Sequence, residues 1–284
     1  MIRSIARNLE LITGQNSYPY AKWDLAAGYA KMVMMAGLSG LGLQRLRRAR
    51  QICHLSAVDL DFWFFTYSGF IYLFQEIFIR QDYVFLSRRP DPLIIDCGSN
   101  IGMSILYFKR RYPEARIVGF EPDHATFEML QKNVAANCLS GVALHNSALA
   151  DRAGTMDLYR DSKSADSLVM SLRKERSPAN DEAKKIQTVL LSDYINSEVD
   201  FLKLDIEGME TAVIEELAEK RKLALVREMI IEYHHHVPAG DDSLSRVLAL
   251  LESSGFGYSI GAPHVSSIQD NRNMQDILLR AYRK

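Results

Sequence analysis

The segment with the clearest chemical potential is a glycine-containing turn between an apolar run and a helical pattern. It consists of Asp96, Cys97, Gly98, Ser99, Asn100, Ile101 and Gly102, with the spacing DxGxxxG. Gly98 allows a tight turn and a close approach of the backbone to a ligand, and Gly102 allows close packing of the next helix. Because parallel sheets bind ligands beyond the carboxyl ends of their strands, this turn lies where a cofactor loop is expected.

An acidic residue at the end of the next apolar run gives this turn a partner. Glu121 follows Asp96 by 25 residues. A carboxylate at that position commonly accepts hydrogen bonds from the ribose hydroxyls of an adenosine-containing cofactor. A dinucleotide-binding loop needs the spacing GxGxxG to wrap a pyrophosphate, and this turn has DxGxxxG instead. The acidic Asp96 would repel a pyrophosphate, but it suits the sulfonium and ammonium groups of S-adenosylmethionine. The residues therefore favour S-adenosylmethionine over NAD.

The elements that must position these residues alternate regularly after residue 90. Five apolar runs have the length and composition of buried parallel strands: 93–97, 116–120, 142–149, 199–205 and 226–233. Between the strands, apolar residues recur at helical spacing, which predicts helices that connect parallel strands by right-handed crossovers. The last two strand-like runs, 257–261 and 276–282, have no helix between them, which predicts an antiparallel edge. The sequence therefore predicts an α/β fold with a doubly wound, mostly parallel sheet.

The region upstream of this pattern differs in character, and two prolines within 88–92 mark a soft boundary. It contains a predicted helix, an aromatic strand and a second helix, at residues 23–50, 61–67 and 70–78. We therefore predict a mainly helical N-terminal cap over residues 1–89 and a catalytic domain over residues 90–284.

Composition limits the partners and the compartment. The chain has 284 residues with 34 basic and 35 acidic side chains, and its formal charge of -1 argues against a dedicated nucleic-acid binder. Three scattered cysteines favour a reducing, cytoplasmic compartment over a disulfide framework. The most apolar stretch, residues 60–79, contains acidic residues, so no stable membrane insertion is expected. Charges interrupt the apolar residues of 1–12, and no cleaved signal peptide is predicted.

Four blocks of sequence, in order, resemble the FkbM-type methyltransferases. They are the residues 95–102, Phe120-Glu121-Pro122, Asn146-Ser147-Ala148-Leu149, and Lys203-Leu204-Asp205-Ile206-Glu207-Gly208-Met209-Glu210. The last block, with the spacing DxEGxE, is the most specific to the family. The resemblance covers roughly residues 76–233. Ser99 and Met209 are mild departures from a pattern that more often has alanine at both positions.

The resemblance implies a class I methyltransferase (Rossmann-like) fold, with a seven-stranded sheet whose last strand is antiparallel. It also implies an enzyme that methylates hydroxyl groups with S-adenosylmethionine. Carried over by position, the cofactor-binding residues are Asp96, Gly98, Ser99, Asn100, Gly102, Glu121, Pro122, Ser147, Ala148 and Asp205. Because Asp205 ends the strand at which this fold brings the methyl group close to the acceptor, Asp205 and Glu207 are expected in the active site.

A base within hydrogen-bond reach helps methyl transfer, because an alcohol is a poor nucleophile until its proton leaves. The candidates are Asp205 and the histidines that end the fifth strand, His234 to His236. Histidine titrates near neutrality, so His234 is the first choice for this catalytic role. The alternatives are a structural charge pair at a helix N-terminus for Asp205 and Glu207, and hydrogen-bonded loop positions for the histidines.

A metal site built from these groups has no spacing signature, so no metal is predicted. We therefore predict an S-adenosylmethionine-dependent O-methyltransferase of natural product biosynthesis that acts on a hydroxyl of a small molecule, a sugar or a secondary metabolite. The cap and the polar insertion at 161–185 are expected to cover this acceptor. The alternatives are N- or C-methylation of a small molecule, a NAD(P)-binding oxidoreductase and a non-catalytic binding protein. No Asn-Pro-Pro-aromatic segment follows the fourth strand, which weighs against methylation of amines or nucleic-acid bases.

Overall fold

The computed structural model describes residues 22–42, 52–163, 170–176, 180–235, 243–261 and 275–284, together with residues 6, 8, 12 and 237. The α-helices are α1 (Lys22–Gly42), α2 (Tyr67–Phe74), α3 (Met103–Arg111), α4 (His124–Ala136), α5 (Glu210–Glu219) and α6 (Leu244–Ser253). A π-helix, Gln75–Ile79, continues α2, and short 3-10 helices lie at Lys174–Arg176, Leu191–Tyr194 and Lys222–Leu225.

The strands of the described residues form three sheets. They are β1 (Cys53–Ala57), β2 (Leu60–Phe64), β3 (Leu93–Cys97), β4 (Arg116–Phe120), β5 (Val142–His145), β6 (Ala148–Leu149), β7 (Gly154–Arg160), β8 (Glu182–Val189), β9 (Val199–Leu204), β10 (Val226–His235), β11 (Phe256–Gly261) and β12 (Gln275–Arg283). The largest sheet has seven strands in the order β11-β12-β10-β9-β3-β4-β5.

The predicted mostly parallel sheet with an antiparallel last strand is confirmed. Within the seven-stranded sheet, β12 runs antiparallel to both of its neighbours, β10 and β11. The other pairings, from β10 through β9, β3 and β4 to β5, are parallel. The strand order reverses beside β3, whose neighbours are β9 and β4, and ligands bind at such a switch point in open α/β sheets.

Apolar side chains cover the sheet on both faces. All six residues of β9 are buried, as expected for a central parallel strand. Phe201 packs on one face in a core that includes α1, α2, α3 and α4, whereas Leu202 packs on the other with α5 and α6. The upstream region therefore shares its core with the sheet. Among the described residues, no helix is both long and apolar enough to cross a membrane.

The N-terminal region contains a hairpin that the sequence did not predict. β1 pairs with β2 in antiparallel register, and the turn between them places Val58 and Asp59 at φ values of 51° and 60°. Two positive φ values are the geometry of a tight hairpin turn, which usually carries asparagine or glycine. The helix predicted over 23–50 is observed as Lys22–Gly42, and residues 43–50 lie outside the described part of the chain.

The predicted third strand, 142–149, is two strands. β5 joins the large sheet, whereas β6 joins a separate sheet with β7 and β8, in the order β6-β8-β7. β8 begins within the predicted polar insertion and includes its last residues, 182–185. Residues 164–169 and 177–179 of the insertion lie outside the described residues. The break between β5 and β6 leaves Asn146 and Ser147 at the carboxyl edge of the large sheet.

Candidate active site

A cavity of about 340 Å³ opens at the carboxyl ends of β3, β4, β9 and β10. Nine of the predicted site residues line it: Gly98, Ser99, Asn100, Glu121, Pro122, Ser147, Ala148, Asp205 and Glu207. Asp96, Gly102 and His234 lie outside its lining. The upstream region also contributes Tyr72, Glu76 and Tyr83 to the lining.

The glycine turn is held by backbone contacts to two strand ends. The amides of Gly98 and Ser99 donate hydrogen bonds to the carbonyl oxygen of Phe120 at 3.1 and 2.8 Å. Gly98 has a φ of +86°, and a Cβ atom at this position would lie 1.9 Å from the carbonyl oxygen of Asp205. Glycine is therefore required here both by the backbone conformation and by the closeness of β9.

Gly102 has the packing role that the sequence predicts. Its φ is +89°, it begins α3, and a Cβ atom here would lie 2.6 Å from the side chain of Leu130 in α4. The residue thus allows two helices to pack closely, and it does not line the cavity.

Asp96 lies beneath the turn and is fully buried. Its Oδ2 accepts a hydrogen bond from the Ser104 hydroxyl at 2.5 Å, and its Oδ1 lies 3.5 Å from Nζ of Lys203. The carboxylate is thus already paired with a cation and does not face the cavity. This geometry argues against a direct attraction between Asp96 and a sulfonium group, and it indicates that Asp96 positions the loop.

Glu121 faces the cavity and also organises the turn. Its two carboxylate oxygens accept hydrogen bonds from the amides of Asn100 and Asp123, at 3.0 and 2.9 Å. Burial raises the pKa of Glu121 to about 8. The amide group of Asn146 supports this segment by donating to the carbonyl oxygens of Glu121 and Pro122, at 2.9 and 3.0 Å. A buried carboxyl held in this way suits the hydroxyl groups of a ribose.

Ser147 presents a polar atom without a partner on the same side of the cavity. Its Oγ is buried and has no hydrogen-bond partner among the described residues. Ala148, Leu149 and Leu158 line the wall around it. A buried hydroxyl that lacks a partner is uncommon in proteins, and a ligand with a polar edge would satisfy it. The apolar wall with this single hydroxyl fits the adenine ring of S-adenosylmethionine.

The acidic side chains of the DxEGxE block are each paired with a basic side chain. Asp205 Oδ2 lies 3.1 Å from Lys203 Nζ, Glu207 Oε2 lies 2.5 Å from Arg176 Nε, and Glu210 Oε1 lies 2.9 Å from His234 Nδ1. Glu210 also accepts hydrogen bonds from the amides of Ile206 and Gly208 at the start of α5. The block is therefore a set of ion pairs around a helix N-terminus, and its three carboxylates have different environments.

Lys203 is a central residue of the site that the sequence analysis did not single out. Its ammonium group is buried within β9 and donates hydrogen bonds to the carbonyl oxygen of Gly98, at 2.9 Å, and to Asp205. Burial lowers its pKa, but Asp205 and Asp96 more than offset this effect and raise it. A lysine between Leu202 and Leu204 in a fully buried strand was the signal that could have found it.

His234 is buried beside the cavity and is surrounded by carboxylates. Its Nε2 lies 3.3 Å from Glu207 and 4.0 Å from Asp205. Burial lowers the pKa of His234, but Glu207 and Glu210 outweigh this and raise it to about 10. At neutral pH the ring is an imidazolium without a free lone pair, which argues against His234 as the base. His236, also considered as a candidate, lies outside the described residues.

Asp205, Glu207 and His234 offer ligand atoms that lie within 4.8 Å of one another, so by distance they could hold a metal ion. The charges of this cluster are already compensated, because Arg176 binds Glu207 and Glu210 binds His234. A divalent ion would have to displace the proton of the imidazolium and approach a guanidinium group. We therefore assign no metal ligands here, and a metal-free reaction stays a prediction.

Glu76 and Glu232 carry two further carboxyl groups into the cavity, from the π-helix and from β10. The hydroxyl group of Tyr83 lies between them, 3.2 Å from Glu76 Oε1 and 3.3 Å from Glu232 Oε2. Burial raises the pKa of Glu76 to about 7 and that of Glu232 well above its ordinary value. No motif indicated these residues as a group, because Glu232 is 149 residues from Tyr83 in the chain.

The model of the family described as "Methyltransferase FkbM domain" matches residues 96–258, which is more than half of the chain. The chain belongs to this family. It is an S-adenosylmethionine-dependent methyltransferase, and the family resemblance noted in the sequence is confirmed. The match includes the glycine turn, Glu121, the DxEGxE block and Glu232, whereas Glu76, Tyr83 and Asp276 lie outside it.

Individual relatives of this FkbM-family chain agree with the assignment. The chain is 31% identical over 215 residues to methyltransferase sdnD of Sordaria araneosa, covering 65% of this chain and 81% of the relative. It is 27% identical over 191 residues to the 2-O-methyltransferase NoeI of Sinorhizobium fredii, covering 62% and 77%. The crystal structure of methyltransferase FkbM from Methylobacillus flagellatus KT is 18% identical, with a TM-score of 0.45, and the match covers 74% of this chain and 48% of that one.

Proposed function

We propose that this FkbM-family enzyme is an O-methyltransferase that transfers the methyl group of S-adenosylmethionine to a hydroxyl group of a small molecule, a sugar or a secondary metabolite. The observation that carries the proposal is the single cavity that joins the cofactor loop to a wall of carboxyl groups. The name of the relative NoeI, a 2-O-methyltransferase, supports oxygen as the accepting atom.

The residues around the glycine turn fit the cofactor. Gly98, Ser99 and Asn100 would contact its methionine part, Glu121 its ribose hydroxyls, and Ser147 its adenine ring. When bound, S-adenosylmethionine supplies an electrophilic methyl group on a positively charged sulfur. The chain's own contribution is to align this group with the acceptor and to exclude water from the space between them.

The other half of the cavity has a composition that suits hydroxyl groups. Glu76, Asp205, Glu207 and Glu232 line it, and carboxyl oxygens accept hydrogen bonds from hydroxyls. Those of the carboxyl groups that are ionised would repel a phosphate group, which argues against a nucleic-acid acceptor. The volume of about 340 Å³, which also has to hold part of the cofactor, favours a small acceptor.

We assign different roles to the three predicted catalytic residues. Asp205 borders the reacting atoms, since it lies at the end of β9 against the cofactor turn and its Oδ1 can accept a hydrogen bond from the acceptor. Glu207 and His234 are positioning residues. They form, with Arg176 and Glu210, the ion pairs that hold the loop after β9 in its conformation.

Two measurements test the proposal. Calorimetry should show tight binding of S-adenosylhomocysteine and no comparable binding of NAD, and binding of NAD alone would overturn the cofactor assignment. Methyl transfer from labelled S-adenosylmethionine to a panel of methyl glycosides and hydroxylated macrocycles then tests the acceptor. Nuclear magnetic resonance should identify an O-methyl product, and an N-methyl or C-methyl product would show that the accepting atom is wrong.

A further inference from the structure

The hydroxyl group of Tyr83 bridges two carboxyl groups that face the cavity. It lies 3.2 Å from Glu76 Oε1 and 3.3 Å from Glu232 Oε2, although Tyr83 and Glu232 are 149 residues apart in the chain. Tyr83 is 2% exposed and Glu76 is 5% exposed, so these contacts are largely shielded from bulk water. All three residues line the same cavity as the glycine turn.

The number of protons in this arrangement is limited. A phenol has a single hydroxyl proton and can donate it to only one of the two carboxyl groups. The second contact becomes a hydrogen bond only if the other carboxyl is itself protonated and donates to the phenol oxygen. Burial raises the pKa of Tyr83 well above its ordinary value, so the phenol keeps its proton. Both contacts are therefore hydrogen bonds when Glu76 and Glu232 hold one proton between them.

The charges that face the pair agree with a single shared proton. Glu76 and Glu232 repel each other, and burial of both makes double ionisation costly. The charged groups of the surrounding elements act in both directions: Asp205 and Asp82 favour protonation, whereas Lys203, Arg80 and His234 favour ionisation. These opposing effects are compatible with one ionised and one neutral carboxyl in the pair at neutral pH.

Unlike the three acids of the DxEGxE block, Glu76 and Glu232 have no close cationic partner among the described residues. Asp205, Glu207 and Glu210 each form an ion pair at 3.1 Å or less. Glu76 has only Arg80 at 3.8 Å, and among the described residues Glu232 forms no ion pair. An ionised carboxyl that lacks a close cation is the better proton acceptor, because no cation stabilises its charge.

We propose that Glu76 and Glu232, bridged by Tyr83, bind the acceptor hydroxyl and take its proton during methyl transfer. This inference rests on the proposed function, since it needs a hydroxyl acceptor. It makes the upstream region part of the catalytic machinery, because Glu76 belongs to the π-helix Gln75–Ile79 and lies outside the residues that match the family. π-helical segments often occur at functional sites.

The proposed step balances in atoms and charge. The acceptor oxygen forms a bond to the methyl carbon as the bond between that carbon and sulfur breaks. The electron pair of the broken bond stays on sulfur, so the sulfonium becomes a neutral thioether. The hydroxyl proton moves to the ionised carboxylate of the pair. The pair then holds two protons, and one of them passes to solvent before the next turnover.

The first test counts protons and needs no acceptor. Infrared spectra of the full chain with bound S-adenosylhomocysteine are recorded from about pH 4 to about pH 10 for the wild type, Glu76→Gln and Glu232→Gln. Difference spectra should reveal two separate protonation steps for the wild-type pair and a single step for the carboxyl that remains in either variant. Glu198→Gln, which changes an exposed residue paired with Arg227, serves as the control.

These spectra also define the result that overturns the proposal. If both carboxyl groups ionise together near the ordinary glutamate pKa of about 4.3, they share no proton. Should Glu76→Gln fail to fold, Glu232→Gln reports on the same pair from the other side. Bound S-adenosylhomocysteine in each variant confirms an intact site. A wild type that does not bind it refutes the proposed function, whereas the titration of the pair in the ligand-free chain still decides whether the proton is shared.

The second test measures transfer from labelled S-adenosylmethionine to methyl glycosides. Glu232→Gln should lower kcat by about 10²–10⁴-fold without changing the affinity for S-adenosylhomocysteine. Tyr83→Phe should retain more activity but shift the acidic limb of the pH profile. A Glu232→Gln variant that keeps the wild-type kcat would show that the pair is not the base. If the wild type methylates none of the glycosides, the sugar class of acceptor is wrong, and the infrared titration alone decides the inference.

Discussion

The ammonium group of Lys203 donates a hydrogen bond to the carbonyl oxygen of Gly98 at 2.9 Å. This contact ties the carboxyl end of β9 to the turn that follows β3, across the position where the strand order of the sheet reverses. The same ammonium group lies 3.1 Å from Asp205 and 3.5 Å from Asp96. One buried cation therefore connects the glycine turn with the carboxylates of Asp96 and Asp205.

Replacing this cation should destabilise the protein strongly. In Lys203→Met, the fully buried carboxylate of Asp96 loses its positive partner, and breaking a buried pair from one side typically costs about 3–5 kcal/mol. Chemical denaturation measures the change in the free energy of unfolding. The double variant Asp96→Asn/Lys203→Met should recover part of the loss, because the uncompensated charge is gone. A loss below about 1 kcal/mol would mean that the pair is unimportant for stability.

A methyl group at Gly98 should abolish cofactor binding. The residue has a φ of +86°, and the added Cβ would lie 1.9 Å from a backbone oxygen that cannot move without displacing β9. The positive φ alone costs about 1–3 kcal/mol. Calorimetry with S-adenosylhomocysteine is the measurement. Gly37→Ala is the matched control, since nothing lies within 4 Å of its added Cβ in α1, and it should stabilise the chain by about 0.5–1 kcal/mol.

Ser147→Ala should separate binding from stability. The buried Oγ has no hydrogen-bond partner among the described residues, so its removal should leave the free energy of unfolding unchanged or slightly higher. If this hydroxyl contacts the adenine ring, the affinity for S-adenosylhomocysteine should fall by about 0.5–1.5 kcal/mol. Calorimetry and denaturation of the same samples provide both values. Unchanged affinity would place the adenine ring elsewhere.

Glu121 should make the ligand-free protein less stable as the pH rises. Burial raises its pKa to about 8 in the folded chain, whereas a glutamate in the unfolded chain titrates near 4.3. Between these values the folded state holds a proton that the unfolded state has released, so increasing pH favours unfolding, by up to about 1.4 kcal/mol per pH unit. Denaturation at several pH values should show this slope reduced in Glu121→Gln. Parallel profiles of the two proteins would contradict the raised pKa.

His234 should remain protonated well above neutrality. The carboxylates of Glu207 and Glu210 raise its pKa to about 10 against the opposing effect of burial. A nuclear magnetic resonance titration of the imidazole ring should therefore show no deprotonation near the ordinary histidine pKa of about 6.5. Glu210→Gln should lower the midpoint, since it removes the partner of Nδ1 at 2.9 Å. A midpoint near neutrality would restore His234 as a candidate for the base.

Much of the large sheet could be predicted because buried parallel strands are short and almost entirely apolar. β8 could not, since its residues Glu182–Val189 alternate between partly buried and exposed positions and include charged side chains that also occur in loops. The division of 142–149 into β5 and β6 was missed for another reason. Two short strands in different sheets have the same apolar pattern as one longer strand.

The sequence alone determined the family, the tight glycine turn after β3 and the succession along the chain of the strands and helices that build the large sheet, because these depend on glycine positions, local spacing and hydrophobic periodicity. Only the tertiary structure decided which acid pairs with which cation. It placed Arg176 on Glu207, Lys203 on Asp205, and Tyr83 between Glu76 and Glu232. Ionisation depends on burial and on neighbours from distant parts of the chain, so the protonated state of His234 and the shared proton of the carboxyl pair follow from packing rather than from any motif.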